Sequence, residues 1–348
     1  MSGPSSRDGV DTHRLSRHLA AAGLSDRPSV HVELISGGKS NLTYRVSDNS
    51  HRWILRRPPL GEVMSGTHDV SREHRLITAL SGSTVPVPTP VLLCTDSAVL
   101  GAPFYLMEEV EGLVLRAPED AAAMPRPALR AIGDDLVDVL ADLHDLDPAS
   151  VSLEILGRPQ GYLQRQLERW IRQLGVIASR ELDHADDVGR ALGSAIPASA
   201  RTSIVHGDYR PDNVLIGRTS PKVVSVLDWE MATLGDPLAD LALFITFWDE
   251  PGQPFNPITR GMMAVGGFRS RTGALQRYAA RHDIDVSNLD WYLAFSQFKV
   301  AVILEQIYAR YRSGQTVGED FSDVADMVPQ LLQAAMDTVR SSRGFTLT

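Results

Sequence analysis

The chain reads as an α+β protein of two lobes, a small antiparallel-sheet lobe followed by a larger helical one. Three observations predict this. From Val30 to Met107, apolar and polar residues alternate in short runs, the period of half-buried strands. After Gly112, apolar positions recur at three- and four-residue spacing, the helical period. Between Ile204 and Glu230, short apolar runs flank turns rich in Asp and Asn. With 348 residues the chain is long enough for two cores. A strand-rich first third before a helix-rich remainder suggests two lobes with a cleft between them. The boundaries fall at 1–107 for the first lobe, 108–112 for a linker and 113–348 for the second.

The elements follow in order. Residues 1–10 are polar and read as a tail, and His13 to Gly23 as a helix stopped by its glycine. Val32 and Leu34, then Leu42, Tyr44 and Val46, alternate on two strands joined by the turn Gly37-Gly38-Lys39-Ser40-Asn41. Trp53 to Arg56 is a third strand, stopped by Pro58-Pro59. Residues 68–81 carry Val70, Leu76, Ile77 and Leu80 at helical spacing and end on Gly82. Pro86, Pro88 and Pro90 punctuate a loop before two further strands, Val91 to Leu93 and Phe104 to Met107. Helices are predicted over 127–146, 161–178, 184–195, 236–248, 271–283, 287–312 and 319–341.

Composition narrows the function. Hydrophobic residues at 43% and charged residues at 22% are ordinary for a globular chain. A net charge of −9 argues against nucleic acid as the main partner, since phosphate backbones call for a basic face. Cys94 is the only cysteine, so no intrachain disulfide can form and a cytoplasmic setting is expected. The N-terminus carries no visible signal peptide, and no apolar run is long enough to span a bilayer, so no membrane partner is expected. Oligomeric state is not legible.

Chemistry concentrates in one segment. It reads Ile204-Val205-His206-Gly207-Asp208-Tyr209-Arg210-Pro211-Asp212-Asn213, followed by Leu227-Asp228-Trp229-Glu230. This spacing suits phosphoryl transfer to a hydroxyl. Asp208 is placed to accept the proton of the attacking hydroxyl. Asn213 and Asp228 supply the hard oxygens that hold magnesium against the phosphates of ATP. Arg210, two residues after Asp208, is either a support for the transferred phosphate or a surface arginine. Asp236 and Asp240 are both placed to cap the following helix, and Asp236 is also an alternative anchor for the Asp208 loop.

On these motifs the chain resembles the aminoglycoside phosphotransferase and choline kinase superfamily, over nearly its whole length. Ile35-Ser-Gly-Gly-Lys-Ser-Asn41, Leu55-Arg-Arg-Pro-Pro59, Pro103-Phe-Tyr-Leu-Met-Glu108 and Trp291-Tyr-Leu-Ala-Phe295 are more narrowly similar to the kinase domain fused to some acyl-CoA dehydrogenases. The resemblance implies a protein-kinase-like fold using ATP and Mg2+. It makes His206 a loop-orienting residue and Asp228 the counterpart of the metal-binding Asp of the Asp-Phe-Gly element. Arg56 stands where the family carries its phosphate-clamping lysine, with Arg57 as the rival if the strand register slips by one. Glu73 is the best helix partner for that arginine, Glu62 and Asp69 the alternatives. Gly37, Gly38, Lys39, Ser40 and Asn41 would cover the phosphates, and the Glu108 carbonyl and Val110 amide would read adenine. The implied acceptor is a hydroxylated acyl chain.

The acceptor side must come from the later helices. Phe244, Phe247, Trp248, Met262, Met263 and Phe268 cluster around a Pro- and Gly-rich stretch, 251–267, which reads either as a lid over substrate or as plain core. Only Asp249 and Glu250 lie there as an acidic pair, which tilts the reading away from polycationic aminoglycosides. An amino-alcohol kinase and a nucleotide-binding pseudokinase remain the alternatives.

Overall fold

The computed structural model describes residues 9–26, 29–36, 41–60, 69–178, 180–199, 201–252, 258–281, 284, 286, 288–314 and 324–342. The chain divides into two compact units. One comprises Met1–Gly112 together with Val224–Glu230, the other Leu113–Val223 with Met231–Thr348.

In the first unit, helix α1 (Thr12–Ala21) starts at Asp11, whose carboxylate accepts from the amides of His13 and Arg14, both at 3.0 Å. Strands β1 (His31–Ser36), β2 (Leu42–Ser47) and β3 (Arg52–Arg57) follow, then helix α2 (Val70–Leu80). Strand β4 (Pro90–Cys94), the single-turn helix α3 (Ser97–Leu100) and strand β5 (Phe104–Glu108) complete the set. The five strands form one sheet in the order β1-β2-β3-β5-β4, every neighbour antiparallel.

Register decides what each face carries. Tyr44 lies opposite Leu55, and Leu55 opposite Leu106. These side chains join Leu15 and Leu19 of α1 and Leu100 of α3 in one apolar core. Arg57 has the parity of Leu55 and is drawn to that side, where it donates to the carbonyls of Leu100, at 3.0 Å, and Gly9. Arg56 has the opposite parity, lies across from Thr43 and Tyr105, and meets α2, which packs on β4 and β5.

The second unit is mostly helical. It contains α4 (Pro118–Ala122), α5 (Arg126–Asp145), α6 (Tyr162–Ile177) and α7 (Ala185–Ser194). Four short strands follow, β6 (Ser203–Val205), β7 (Val214–Ile216), β8 (Val223–Val226) and β9 (Thr233–Gly235), the last three residues of β8 belonging to the first unit. Then come α8 (Pro237–Thr246), α9 (Arg271–Arg281), α10 (Leu289–Arg312) and α11 (Val324–Ser341). Strands β6 and β9 pair antiparallel, with Ile204 opposite Leu234. Helix α8 buries almost its whole circumference, so it forms the centre of this unit. Helix α10 packs against α8, α6, α7 and α11. The α5–α9 seam is tied by the pairs Asp138–Arg277 and Asp142–Arg281, and Asp134 pairs with Arg269 just ahead of α9.

One expectation changes and one open alternative narrows. Elements of three to five residues, α3, α4 and β6 to β9, are missing from the predicted order because so short a run carries no measurable period. Of the two readings left open for the aromatic and methionine cluster, five of its six residues take that of core. Phe244, Phe247, Trp248, Met262 and Met263 are each at most 3% exposed. The ring of Phe244 stands edge-on to both Tyr209 and Trp248, at 5.2 and 5.3 Å. Residues 253–257 of that stretch lie outside the described residues.

Candidate active site

Two polar clusters carry the predicted site residues, one in each unit. The first is built on β3, α2 and the segment after β8. Arg56 is buried and donates to Glu73 at 2.9 Å and to Asp228 at 3.1 Å. Desolvation opposes its charge, but Glu73, Tyr105 and Asp228 outweigh it and hold the guanidinium well above its usual pKa. Burial pushes the Glu73 carboxyl up, and Arg56, the Tyr105 hydroxyl and the Trp229 amide pull against that. Asn41, which closes the glycine-rich turn, donates its amide to Glu73 at 3.4 Å. Gly37, Gly38, Lys39, Ser40 and Glu62 lie outside the described residues.

Asp228 sits at φ +62°, a left-handed conformation uncommon for a residue with a Cβ. Its segment is held on both sides. The Val226 amide donates to the Pro86 carbonyl at 2.7 Å, and Arg72 donates to the Glu230 carbonyl at 3.3 Å. Arg56 takes one oxygen of Asp228 and leaves the other without a partner among the described residues. Residues held in sparsely populated backbone conformations by surrounding bonds cluster at active sites and ligand clamps. At the end of β5, Glu108 turns its side chain outward and its amide donates to Thr89 at 2.9 Å. The extended chain through Val110 is steadied by Glu109 on Arg45 at 2.8 Å and Glu111 on Arg52 at 2.6 Å.

The second cluster is the loop after β6. Asp208 accepts on Oδ2 from the Asn213 amide at 2.9 Å and from Arg210 Nε at 3.2 Å. Asn213 donates the same nitrogen to the Asp208 carbonyl at 2.9 Å, which leaves its own carbonyl oxygen free of any partner among the described residues. Arg210 also pairs with Asp212 at 3.0 Å. Gly207 is required here. Its φ is +81°, and a Cβ would stand 2.8 Å from the Met231 carbonyl oxygen. His206 is fully buried, and its Nδ1 accepts from the Asp208 amide at 3.3 Å. Tyr209 pins the loop from below, its hydroxyl donating to the Leu136 carbonyl at 2.9 Å.

The anchor of this loop is Asp240, not Asp236. Asp240 lies one turn inside α8 and accepts from the amides of His206, at 2.7 Å, and Gly207, at 2.9 Å. Burial pulls its carboxyl up, but His144 and His206 outweigh that and hold it below the usual carboxylate range. His144 of α5 continues the network to the Tyr278 hydroxyl of α9 at 2.6 Å. Asp236 caps α8 instead, accepting from the Leu238 amide at 2.9 Å and the Tyr292 hydroxyl at 2.8 Å. A signal for this existed in the sequence. Asp240 interrupts the run Pro237-Leu-Ala-Asp-Leu-Ala-Leu-Phe-Ile245, and a carboxylate inside so apolar a helix must be paired. Lys299, alone between Phe298 and Val300, is a second such residue. Its ammonium donates to the Gly207 carbonyl at 3.1 Å.

Among the described residues no group of three or more His, Cys, Asp and Glu gathers to hold a metal by itself. The free oxygens of Asp228 and of Asn213 are each hard donors of the kind that magnesium takes.

The model of the phosphotransferase enzyme family matches residues 31–298. Acyl-CoA dehydrogenase family member 11 of Gallus gallus is 31% identical over 345 residues, covering 94% of this chain and 43% of that protein. The protein of that name from Homo sapiens is 31% identical over 331 residues, covering 92% and 42%. The chain thus spans less than half the length of these relatives. A crystal structure from Ralstonia eutropha JMP134, provisionally assigned as an aminoglycoside phosphotransferase, superposes with a TM-score of 0.83 at 30% identity, over 97% of this chain and 99% of that one. An aminoglycoside phosphotransferase solved with AMP-PNP and hygromycin B matches with a TM-score of 0.62 at 15% identity, over 96% and 99%, a likeness of fold alone. The fold is the kinase-like one, an antiparallel sheet followed by a mostly helical remainder, and the matching family is one of phosphotransferase enzymes. On a family model that spans most of its length and relatives that match nearly all of it, this chain belongs to the phosphotransferase enzyme family.

Proposed function

We propose that this chain transfers the γ-phosphoryl group of ATP to the hydroxyl of a small hydroxyacyl compound, free or as its CoA thioester. The observation that carries the reading is the Asp208 loop: a part-exposed carboxylate with one oxygen fixed by Asn213 and Arg210, on a backbone held by Asp240. In the reaction the acceptor oxygen bonds to the γ-phosphorus as the bond to the bridging oxygen of ADP breaks, and the hydroxyl proton passes to Asp208. Arg210 keeps the carboxylate oriented and adds positive charge beside the transferred group.

The first cluster serves the nucleotide. Arg56, braced by Glu73, clamps the phosphates, and the 37–41 turn covers them. The Glu108 carbonyl and Val110 amide read the base. The lobes run over 1–107 and 113–348, with 108–112 as the linker. Magnesium, with Asn213 and Asp228 as its protein ligands, neutralises phosphate charge when bound. A cytoplasmic place in acyl-CoA metabolism belongs to the same reading, supported by the single cysteine and by the names of the relatives.

The acceptor class rests on charge. Asp249 accepts from the Thr259 hydroxyl at 2.8 Å and Glu250 from the Arg271 amide at 2.8 Å, so the acidic pair is engaged in holding its own loop. An amino-alcohol kinase is the second reading, favoured by the fold shared with the hygromycin B complex. A screen of phosphate transfer from Mg-ATP to hydroxyacyl, choline-like and aminoglycoside acceptors, read by mass spectrometry, separates the two. Asp208→Ala is expected to abolish transfer while ATP binding stays within a few-fold. Equal turnover by variant and parent would refute Asp208 as the base, and with it the proposal.

A further inference from the structure

Lys299 stands apart from the charged groups already described. It comes from α10, and its ammonium reaches the carbonyl of Gly207, the peptide immediately before Asp208. Its Nζ lies 5.7 Å from the ring centroid of Trp170 on α6. Burial pushes the ammonium's pKa down, and the Asp208 and Asp240 charges oppose that. Among the described residues no carboxylate comes within ion-pair distance of Lys299, and the Gly207 carbonyl is the one acceptor it has. An ammonium carries three donors. Two are therefore left over in a partly desolvated place, a costly arrangement unless another oxygen arrives to take them.

The surroundings say what kind of oxygen. Arg169 lies beside Lys299, its guanidinium 5.3 Å from the centroid of the same Trp170 ring, and Arg210 pairs with Asp208 itself. Of the neighbouring carboxylates, Asp212 is paired by Arg210 and Asp240 is held by two amides and His144. Lys299 thus brings unfilled donors to the Asp208 loop, and Arg169 and Arg210 add positive charge around it. A polycationic acceptor would meet like charge, whereas an acceptor with a carbonyl or carboxylate near its hydroxyl would fill the vacant donors.

We propose that Lys299 is a specificity-determining residue on the acceptor side, donating to a carbonyl or carboxylate oxygen of the molecule whose hydroxyl faces Asp208. This rests on the reading of Asp208 as the base. The test compares a medium-chain hydroxy acid and its CoA thioester with an amino alcohol of the same carbon-chain length, by labelled phosphate transfer from Mg-ATP. Lys299→Met is expected to lower the ratio of kcat/KM, hydroxyacyl over amino alcohol, by about tenfold or more, mainly through KM of the hydroxyacyl acceptor. Lys299→Arg is expected to keep the ratio within about threefold, since a guanidinium can also donate to oxygen. A loss that strikes both acceptors alike would make Lys299 only a brace for the loop and overturn the proposal, as would an unchanged ratio. A parent enzyme that prefers the amino alcohol overturns it too, while leaving Asp208 as base. Full activity of the Asp208→Ala protein would remove both together.

Discussion

At the scale of single residues, the decisive feature is how each buried charge is matched. Arg56 has two carboxylates, and Glu73 has Arg56, the Tyr105 hydroxyl, the Asn41 amide and the Trp229 amide. Such a cluster is a poor source of net stability but a strong constraint on geometry, because removing one member strands the others in a dry place. Glu73→Ala is expected to destabilise the protein by about 3–5 kcal/mol in urea unfolding. A loss below about 1 kcal/mol would mean that the Arg56 charge is satisfied without Glu73. The Arg56 side was readable in the sequence because Ile54 and Arg56 share a parity. What parity cannot say is that Arg57, equally buried, has carbonyls waiting for it on the other face.

At the scale of elements, short turns do the positioning. The β2–β3 turn is tied by Asp48, which accepts from the Ser50 and His51 amides, both at 2.7 Å, and from the Ser25 hydroxyl at 2.6 Å. Burial raises its carboxyl, but the Ser25 hydroxyl and the two amides outweigh that and hold it well below the usual range. The folded pKa is thus depressed, so the stabilisation is present above the ordinary carboxylate value and is lost as pH falls through the folded one. Asp48→Asn is expected to cost about 1–2 kcal/mol near pH 7, with the gap to the parent narrowing as unfolding is followed below about pH 4. A gap that is constant with pH would remove the charge from the explanation. The same scale explains why Asp240 reads as a cap from the sequence alone. A helix-start acid and a buried acid one turn later look alike until the loop that donates to the second is known.

At the scale of the whole molecule, a net charge of −9 is compatible with the proposed use of a nucleotide because the cations are local. Arg56 and its carboxylates belong to the unit that holds the five-stranded sheet, and Asp208, Arg210, Asn213 and Lys299 to the helical one. If the chain binds ATP as proposed, ligand should stabilise it by mass action. Mg-ATP at about 100 times its Kd is expected to add about 2.7 kcal/mol, read as a rise in Tm of a few degrees. The rise should shrink when EDTA replaces Mg2+. A Tm indifferent to Mg-ATP would count against nucleotide binding altogether. No helix of the described residues is long and apolar enough to cross a membrane.

Taken by itself, the sequence determined the class of architecture and the chemistry it would carry. Long helices, alternating strands and the His206-Gly-Asp208 to Asn213 spacing are local patterns, written in residues a few positions apart. Tertiary structure alone decided which carboxylate anchors the loop, that Lys299 reaches Gly207 across 92 positions, and that the aromatic cluster is core. The reason is physical. Pairing of a buried charge depends on groups brought together by packing, and no periodicity along the chain records which donor, tens of residues away, will arrive.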